Sequence, residues 1–237
     1  MRQAYAEPVV ERIGAHLPGL TAPLRIAFLC DLHYGPYVRA GSVALWVDAT
    51  LATAPDLVAL GGDVVDRHAP TDLEPLLAEL ERLAATVPVV CVLGNHEYRR
   101  FADPRRFLAD LRTLGVTALV NRGQPLASGL YLAGVDDLRH GRLRLADALA
   151  ERPPAAPTLL LSHNPDLLPL VPNGVDLTLC GHTHGGQVRL PGIGPIVTSS
   201  AYGRRFAAGW VRTPALGYVS RGLGVGVLPV RWDCPPR

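Results

Sequence analysis

Five short apolar runs in this chain each end in one or two residues able to bind a metal ion, and that repetition restricts the fold more than any other feature. Residues 25–30 (RIAFLC) lead to Asp31 and His33. Residues 56–60 (DLVAL) and two glycines lead to Asp63, and 87–93 (VPVVCVL) with Gly94 lead to Asn95. Residues 158–161 (TLLL) lead to His163, and 175–180 (VDLTLC) with Gly181 lead to His182 and His184. A short continuous apolar run bounded by Gly or Pro reads as a buried strand. Polar groups collected at the carboxyl ends of several strands are the arrangement in which open α/β sheets bind ligands.

Between these runs the pattern changes to apolar residues three and four apart. Residues 41–54, 72–86, 104–114 and 142–151 read as amphipathic helices lying over a sheet. Asp72 and Asp103 suit helix caps, and Pro104 suits a first helical position. From Gln187 onward, QVRLPG, GPIVTS, FAAGWVRT and GYVSRG read as short antiparallel strands separated by Gly and Pro. The expected class is therefore α/β, with two stacked sheets flanked by helices. No repeat or interdomain linker interrupts the pattern, so residues 1–237 are expected to form one domain.

Mixed imidazole, carboxylate and amide ligation suits Mn, Fe, Zn or Co better than an all-oxygen Mg or Ca cage. Two such ions about 3.5–4 Å apart, sharing a bridging carboxylate, can activate water and neutralise a phosphate. His182 and His184, two apart, share one face of an extended segment.

In order, the blocks D-x-H, G-D, G-N-H-E, a lone His and G-H-x-H resemble the calcineurin-like metallophosphoesterases, matching every ligand position from Asp31 to His184. The resemblance implies a four-layer α/β/β/α sandwich of two mixed sheets. It implies one metal on Asp31, His33, Asp63 and His184 and a second on Asp63, Asn95, His163 and His182, with Asp63 as the bridge. His96 is then the catalytic acid that protonates the leaving oxygen, a task suited to imidazole as a side-chain type. The attacking group is implied to be a hydroxide bridging the metals, and Mn²⁺ is the first choice of ion.

SHNPD at 162–166, Gly185-Gly186-Gln187, SRGLG at 220–224 and the CPP ending resemble small bacterial cell-envelope phosphodiesterases, whose relatives include UDP-2,3-diacylglucosamine pyrophosphatases. The substrate implied is a phosphodiester or pyrophosphate, lipid-linked or nucleotide-linked. A phosphomonoesterase and a non-catalytic scaffold of the same fold are the alternatives. Arg99, Arg100, Arg204 and Arg205 are candidate phosphate contacts, and Tyr34, Tyr37, Tyr98 and Tyr202 are candidates for a wall beside the metals. Trp210 is expected in the core. Asp66 and Glu97 are expected to hydrogen-bond ligand histidines. The segment from Arg99 to Leu114 mixes arginines with Phe101, Phe107 and Leu108, and is a candidate surface for an acyl chain or an anionic membrane.

A net charge of +2 gives no bulk electrostatic argument for nucleic acid. The first twenty residues lack a signal-peptide core, and no run reaches the ~20 apolar residues of a spanning helix, so the expectation is a cytoplasmic protein, with peripheral contact at the inner membrane surface left open. Oligomeric state is not readable. Cys30, Cys91 and Cys180 fall at strand ends and read as small buried apolar residues, and the histidines outside the motifs, His16, His68 and His140, read as solvated.

Overall fold

The computed structural model describes residues 2–3, 7–226 and 228–237. After a short strand β1 (Arg2–Gln3), the chain alternates β2 (Ile26–Leu29), α1 (Ala40–Leu51), β3 (Leu57–Gly61), α2 (Glu74–Ala84) and β4 (Val89–Val92). Two helices follow, α3 (Asn95–Arg100) and α4 (Pro104–Thr113), then β5 (Thr117–Ala118). Strands β2 to β5 pair in sequence order, all parallel. Right-handed crossovers between sequential parallel neighbours put their helices on one face of the sheet.

The period of two along each strand divides the core. Val58, Leu60, Val89 and Cys91 face the helices and cluster with Trp46 of α1, Leu80 of α2 and Phe107 of α4. Leu57, Ala59, Val90 and Val92 point the other way, into a second cluster with the next sheet. Both faces of these strands are therefore buried, which is why their sequences are continuously apolar and do not alternate.

The second sheet contains β6 (Arg122–Pro125), β7 (Tyr131–Gly134), β8 (Thr158–Leu161), β9 (Leu177–Cys180), β12 (Gly209–Arg212) and β13 (Leu216–Val219). Between β9 and β12 lies a small hairpin of β10 (Arg189–Leu190) and β11 (Gly194–Pro195). The sheet order is β12-β13-β9-β8-β7-β6; the pairs from β13 to β7 are parallel and the two edge pairs antiparallel. Leu132, Leu159, Leu161, Leu177 and Leu179 face the first sheet. Tyr131, Ala133 and Leu160 face outward onto Ala148 of α5 (Leu145–Leu149) and Leu167. The layers are helices, parallel sheet, mixed sheet and helices. Both sheets were expected to be mixed; only the second is, because each of the three connections in the first sheet is a helical crossover to a parallel neighbour.

The four expected helices form within a few residues of their read boundaries, and Asp72 and Asp103 accept the N–H groups of Glu74 (2.9 Å) and Arg105 (3.0 Å). Trp210 departs from expectation: it lies on edge strand β12, is 46% exposed and stacks edge-on against Tyr218. All four cysteines are buried and free. No helix is long and apolar enough to cross a membrane among the described residues.

Candidate metal centre

The carboxyl ends of β2, β3 and β4 from one sheet and of β8 and β9 from the other meet at one edge of the sandwich. Pairing continues past the strands: the N–H groups of Asp31, His33 and Tyr34 donate to the carbonyls of Gly62, Asp63 and Val64 at 2.9–3.0 Å. Asp31, His33, Asp63, His182 and His184 all have left-handed backbones, with φ between 50° and 71°. Such residues cost of order 1–3 kcal/mol each and persist where the surroundings over-determine them, commonly at functional sites. Gly94 and Gly181 are needed for close approach, since a Cβ at either would collide with the carboxylate of Asp63 or Asp31 respectively.

Two groups of side chains result: Asp31 with His33 and His184, and Asp63 with His163 and His182, each offering ligand atoms within 4.8 Å of one another. In the first, His33 Nε2 lies 3.0 Å from His184 Nε2, and His184 Nε2 lies 3.6 Å from Asp31 Oδ1. In the second, His163 Nε2 is 3.2 Å from both His182 Nδ1 and Asp63 Oδ2. Asp63 Oδ2 is also 3.5 Å from His33 Nε2, so this carboxylate spans the two groups. Asn95, at the start of α3, is buried, and its Oδ1 has no hydrogen-bond partner; His182 Nε2 is likewise buried and unpartnered.

This donor set fits divalent cations. Two imidazole nitrogens each about 2.1 Å from one ion stand about 3.0–3.4 Å apart at ordinary coordination angles, as both nitrogen pairs do here. Burial, with His163 adjacent, pushes His182 down to about 4; burial pushes His184 down to about 3, so both rings are neutral, the form that binds metal. Burial also disfavours charge on His163, but Asp63 beside it outweighs that and holds the ring well above its ordinary value. An ion on His163 must displace that proton.

Asp66 holds the neighbouring histidines. Its Oδ2 lies 3.2 Å from Nδ1 of both His33 and His96, and its Oδ1 accepts the His68 N–H at 2.7 Å. The expectation for Asp66 therefore holds. Glu97 does something else: its buried carboxylate touches no ligand ring and accepts the backbone N–H groups of Asp63 (3.1 Å), Val64 (2.7 Å), Val65 (3.2 Å) and Gly94 (2.8 Å). It fixes the loop that carries Asp63.

The expected phosphate contacts are mostly engaged elsewhere. Arg100 donates to the carbonyls of Ala69 and Pro70, Arg204 to Pro195 and Arg205 to Arg212. Arg99 is exposed and donates to His140 Nε2 at 3.3 Å. The four tyrosines do not form one wall: Tyr34 is buried in the core, Tyr37 is exposed, Tyr98 donates to Asp136 and Tyr202 stacks on Phe206. Phe107 and Leu108 are buried and Phe101 stacks on Phe107, so the segment from Arg99 to Leu114 spends these large apolar side chains on the core. His140 is not simply solvated; it sits between Arg99 and the buried Asp137.

The layered α/β/β/α sandwich thus carries, at its strand ends, clusters of histidines and aspartates that could hold metal ions. Residues 24–186 match the Calcineurin-like phosphoesterase family, and the chain belongs to it. It is thus a phosphoester hydrolase. It is 32% identical to Phosphodiesterase YaeI of Escherichia coli, over 98% of this chain and 88% of that protein. It is 30% identical to the metallophosphoesterase YkuE of Bacillus subtilis, over 90% of this chain and 76% of the relative. Among solved structures, the fold is similar to a dimetal phosphatase from Danio rerio, with a TM-score of 0.52 and 15% identity across 84% of this chain and 88% of the other.

Proposed function

We propose that the chain is a phosphodiesterase or pyrophosphatase that works with two divalent ions, Mn²⁺ foremost. One ion would be held by Asp31, His33, Asp63 and His184, the other by Asp63, Asn95, His163 and His182. The carrying observation is the position of Asp63 between two His/Asp groups, within 3.5 Å of a ring nitrogen of each. The phosphodiesterase name of the Escherichia coli relative supports the choice of diester over monoester. Ions held there would neutralise phosphoryl oxygens and supply a water acidic enough to attack at neutral pH.

His96 acts as the proton donor. Its backbone N–H donates to Asp63 Oδ1 at 2.7 Å, which ties it to the shared carboxylate. Its Nδ1 faces the Arg67 N–H (3.1 Å) and Asp66 Oδ2 (3.2 Å). When the ring is neutral and Nδ1 accepts from Arg67, the proton is on Nε2; when it is doubly protonated, Nδ1 donates to Asp66 and Nε2 again carries a proton. Only the doubly protonated form can deliver the Nε2 proton to a leaving oxygen and stay a neutral imidazole, and the Nδ1–H ring left behind is retained by Asp66.

The substrate is a lipid-linked or nucleotide-linked phosphodiester or pyrophosphate met in the cytoplasm. Hydrolysis of bis-p-nitrophenyl phosphate against p-nitrophenyl phosphate, after chelation and Mn²⁺ add-back, tests the reading. Metal-dependent preference for the diester is expected; preference for the monoester would move the protein to the phosphatases.

A further inference from the structure

Arg231 is the one arginine that the described structure buries, at 4% exposure, in the short strand β14 (Val230–Arg231), and no carboxylate pairs with it. A buried guanidinium needs its donors satisfied, and here backbone carbonyls satisfy them. Nε donates to Gly224 O at 2.8 Å, Nη2 to Arg221 O (2.9 Å) and Gly222 O (3.1 Å), and Nη1 to Cys234 O (3.3 Å). Nη2 also stands 3.4 Å from His184 Nδ1, so the guanidinium packs against that ring.

The carbonyls it gathers belong to the loop that backs Asp31. Leu223 N–H donates to Cys30 O at 3.1 Å and Gly224 N–H to Asp31 O at 2.7 Å, while a Cβ on Gly222 would lie 2.7 Å from Asp31 Cβ. The same tail grips the other side of this group. Cys234 Sγ donates to His184 O at 3.3 Å, and Gln187 Nε2 donates to Leu228 O (2.8 Å) and Val230 O (3.0 Å). Trp232 N–H donates to Gln187 O at 2.8 Å. Asp31 and His184, both held at left-handed φ, are thus clamped from behind by residues 221–224 and 228–234. The other group takes most of its support elsewhere: Glu97 holds the Asp63 loop, and His163 Nδ1 meets Gly61 O at 2.9 Å, although the His182 N–H donates to the Asp31 carboxylate at 3.0 Å.

We propose that Arg231 is a positioning residue that ties the C-terminal segment to the 221–224 loop, presets Asp31 and His184, and so controls ion affinity at the Asp31–His33–His184 group selectively. The inference rests on the two-ion reading above. Arginine is required because its rigid fork reaches three separate carbonyl directions, whereas lysine offers a single point of donation.

The test is calorimetric titration of metal-stripped, full-length protein with Mn²⁺, checked by circular dichroism. Wild type is expected to bind in two steps. Asp31→Asn should abolish one step and His163→Ala the other, which assigns them. Arg231→Gln should weaken the Asp31 step by roughly 10–100-fold, the usual cost of losing a supporting partner, and leave the His163 step within about twofold. Arg231→Lys should recover part of the loss. Equal weakening of both steps, or affinity unchanged in both variants, would overturn the proposal. If Arg231→Gln fails to fold, Arg231→Lys decides alone: selective weakening supports the clamp, and wild-type or evenly reduced affinity overturns it. A wild-type isotherm without two steps would instead refute the two-ion reading, before any Arg231 variant is considered.

Discussion

Replacing Glu97 by Gln removes a single charge and no volume, yet it should damage the protein more than loss of most surface groups. The Glu97 carboxylate divides four N–H donors evenly: Oε1 takes Val64 and Val65, and Oε2 takes Gly94 and Asp63. A glutamine oxygen can keep one pair, but its NH₂ group then faces two donors with nothing to accept them. Hydrogen bonds to a charged group are worth roughly 1.5–3 kcal/mol each, so the gross loss is about 3–6 kcal/mol. Part is offset because burial and the nearby Asp63 carboxylate both push the Glu97 carboxyl up, a sign that its ionised form is expensive to keep. A net loss of about 2–4 kcal/mol remains. Urea unfolding of metal-free protein measures it directly, with an unchanged m-value showing that the unfolded state is not responsible. A change below about 1 kcal/mol would refute the assignment of these four bonds as the support of the Asp63 loop.

His96→Ala should leave metal content intact while slowing hydrolysis by roughly 10²–10⁴-fold for a poor alkoxide leaving group, and much less for p-nitrophenolate, which needs no proton; steady-state kinetics on the two substrates checks this. Phe107→Ala should cost about 3–5 kcal/mol in stability, as expected of a filled core position, without altering liposome partitioning. The Asp66 carboxyl, opposed by burial but held down by its bonds to His33 and His96, lies below the usual carboxylate range. A depressed acid contributes stability that is complete above its unfolded pKa near 4 and lost as pH falls toward its folded value. Asp66→Asn should therefore flatten the fall in stability of metal-free protein below about pH 4 in acid titrations.

The parts of the structure that were readable from sequence are those where one local signal dominates. Continuous apolar runs at 25–30, 56–60, 87–93, 158–161 and 175–180 gave strands because both faces are buried, and the residues after them meet at one edge because parallel strands end together. Helix α3 was not readable: NHEYRR has no apolar period, and it is organised by Glu97 reaching back to the Gly94 N–H. Strands β1, β5 and β14 were missed because each is two residues long, β6, RGQP, because it is a polar edge strand ending in proline, and β7, YLAG, because four residues without a ligand behind them give little signal. The supporting groups were the least legible. Nothing in the sequence distinguishes Glu97, which binds backbone, from Asp66, which binds rings, and Arg231 looks like any charged tail residue until the carbonyls of a loop seven to ten positions earlier surround it. Trp210, expected in the core, lies on the surface because edge strand β12 leaves it uncovered.

The most direct test of the account is the metal content and Mn²⁺-dependent diesterase activity of Asp63→Asn beside wild type, measured on the same chelated and reloaded preparations. If Asp63 joins two ion positions, wild type should hold two ions per chain, and the variant should lose at least one together with nearly all activity while remaining folded. Two retained ions, or wild-type turnover in the variant, would contradict it.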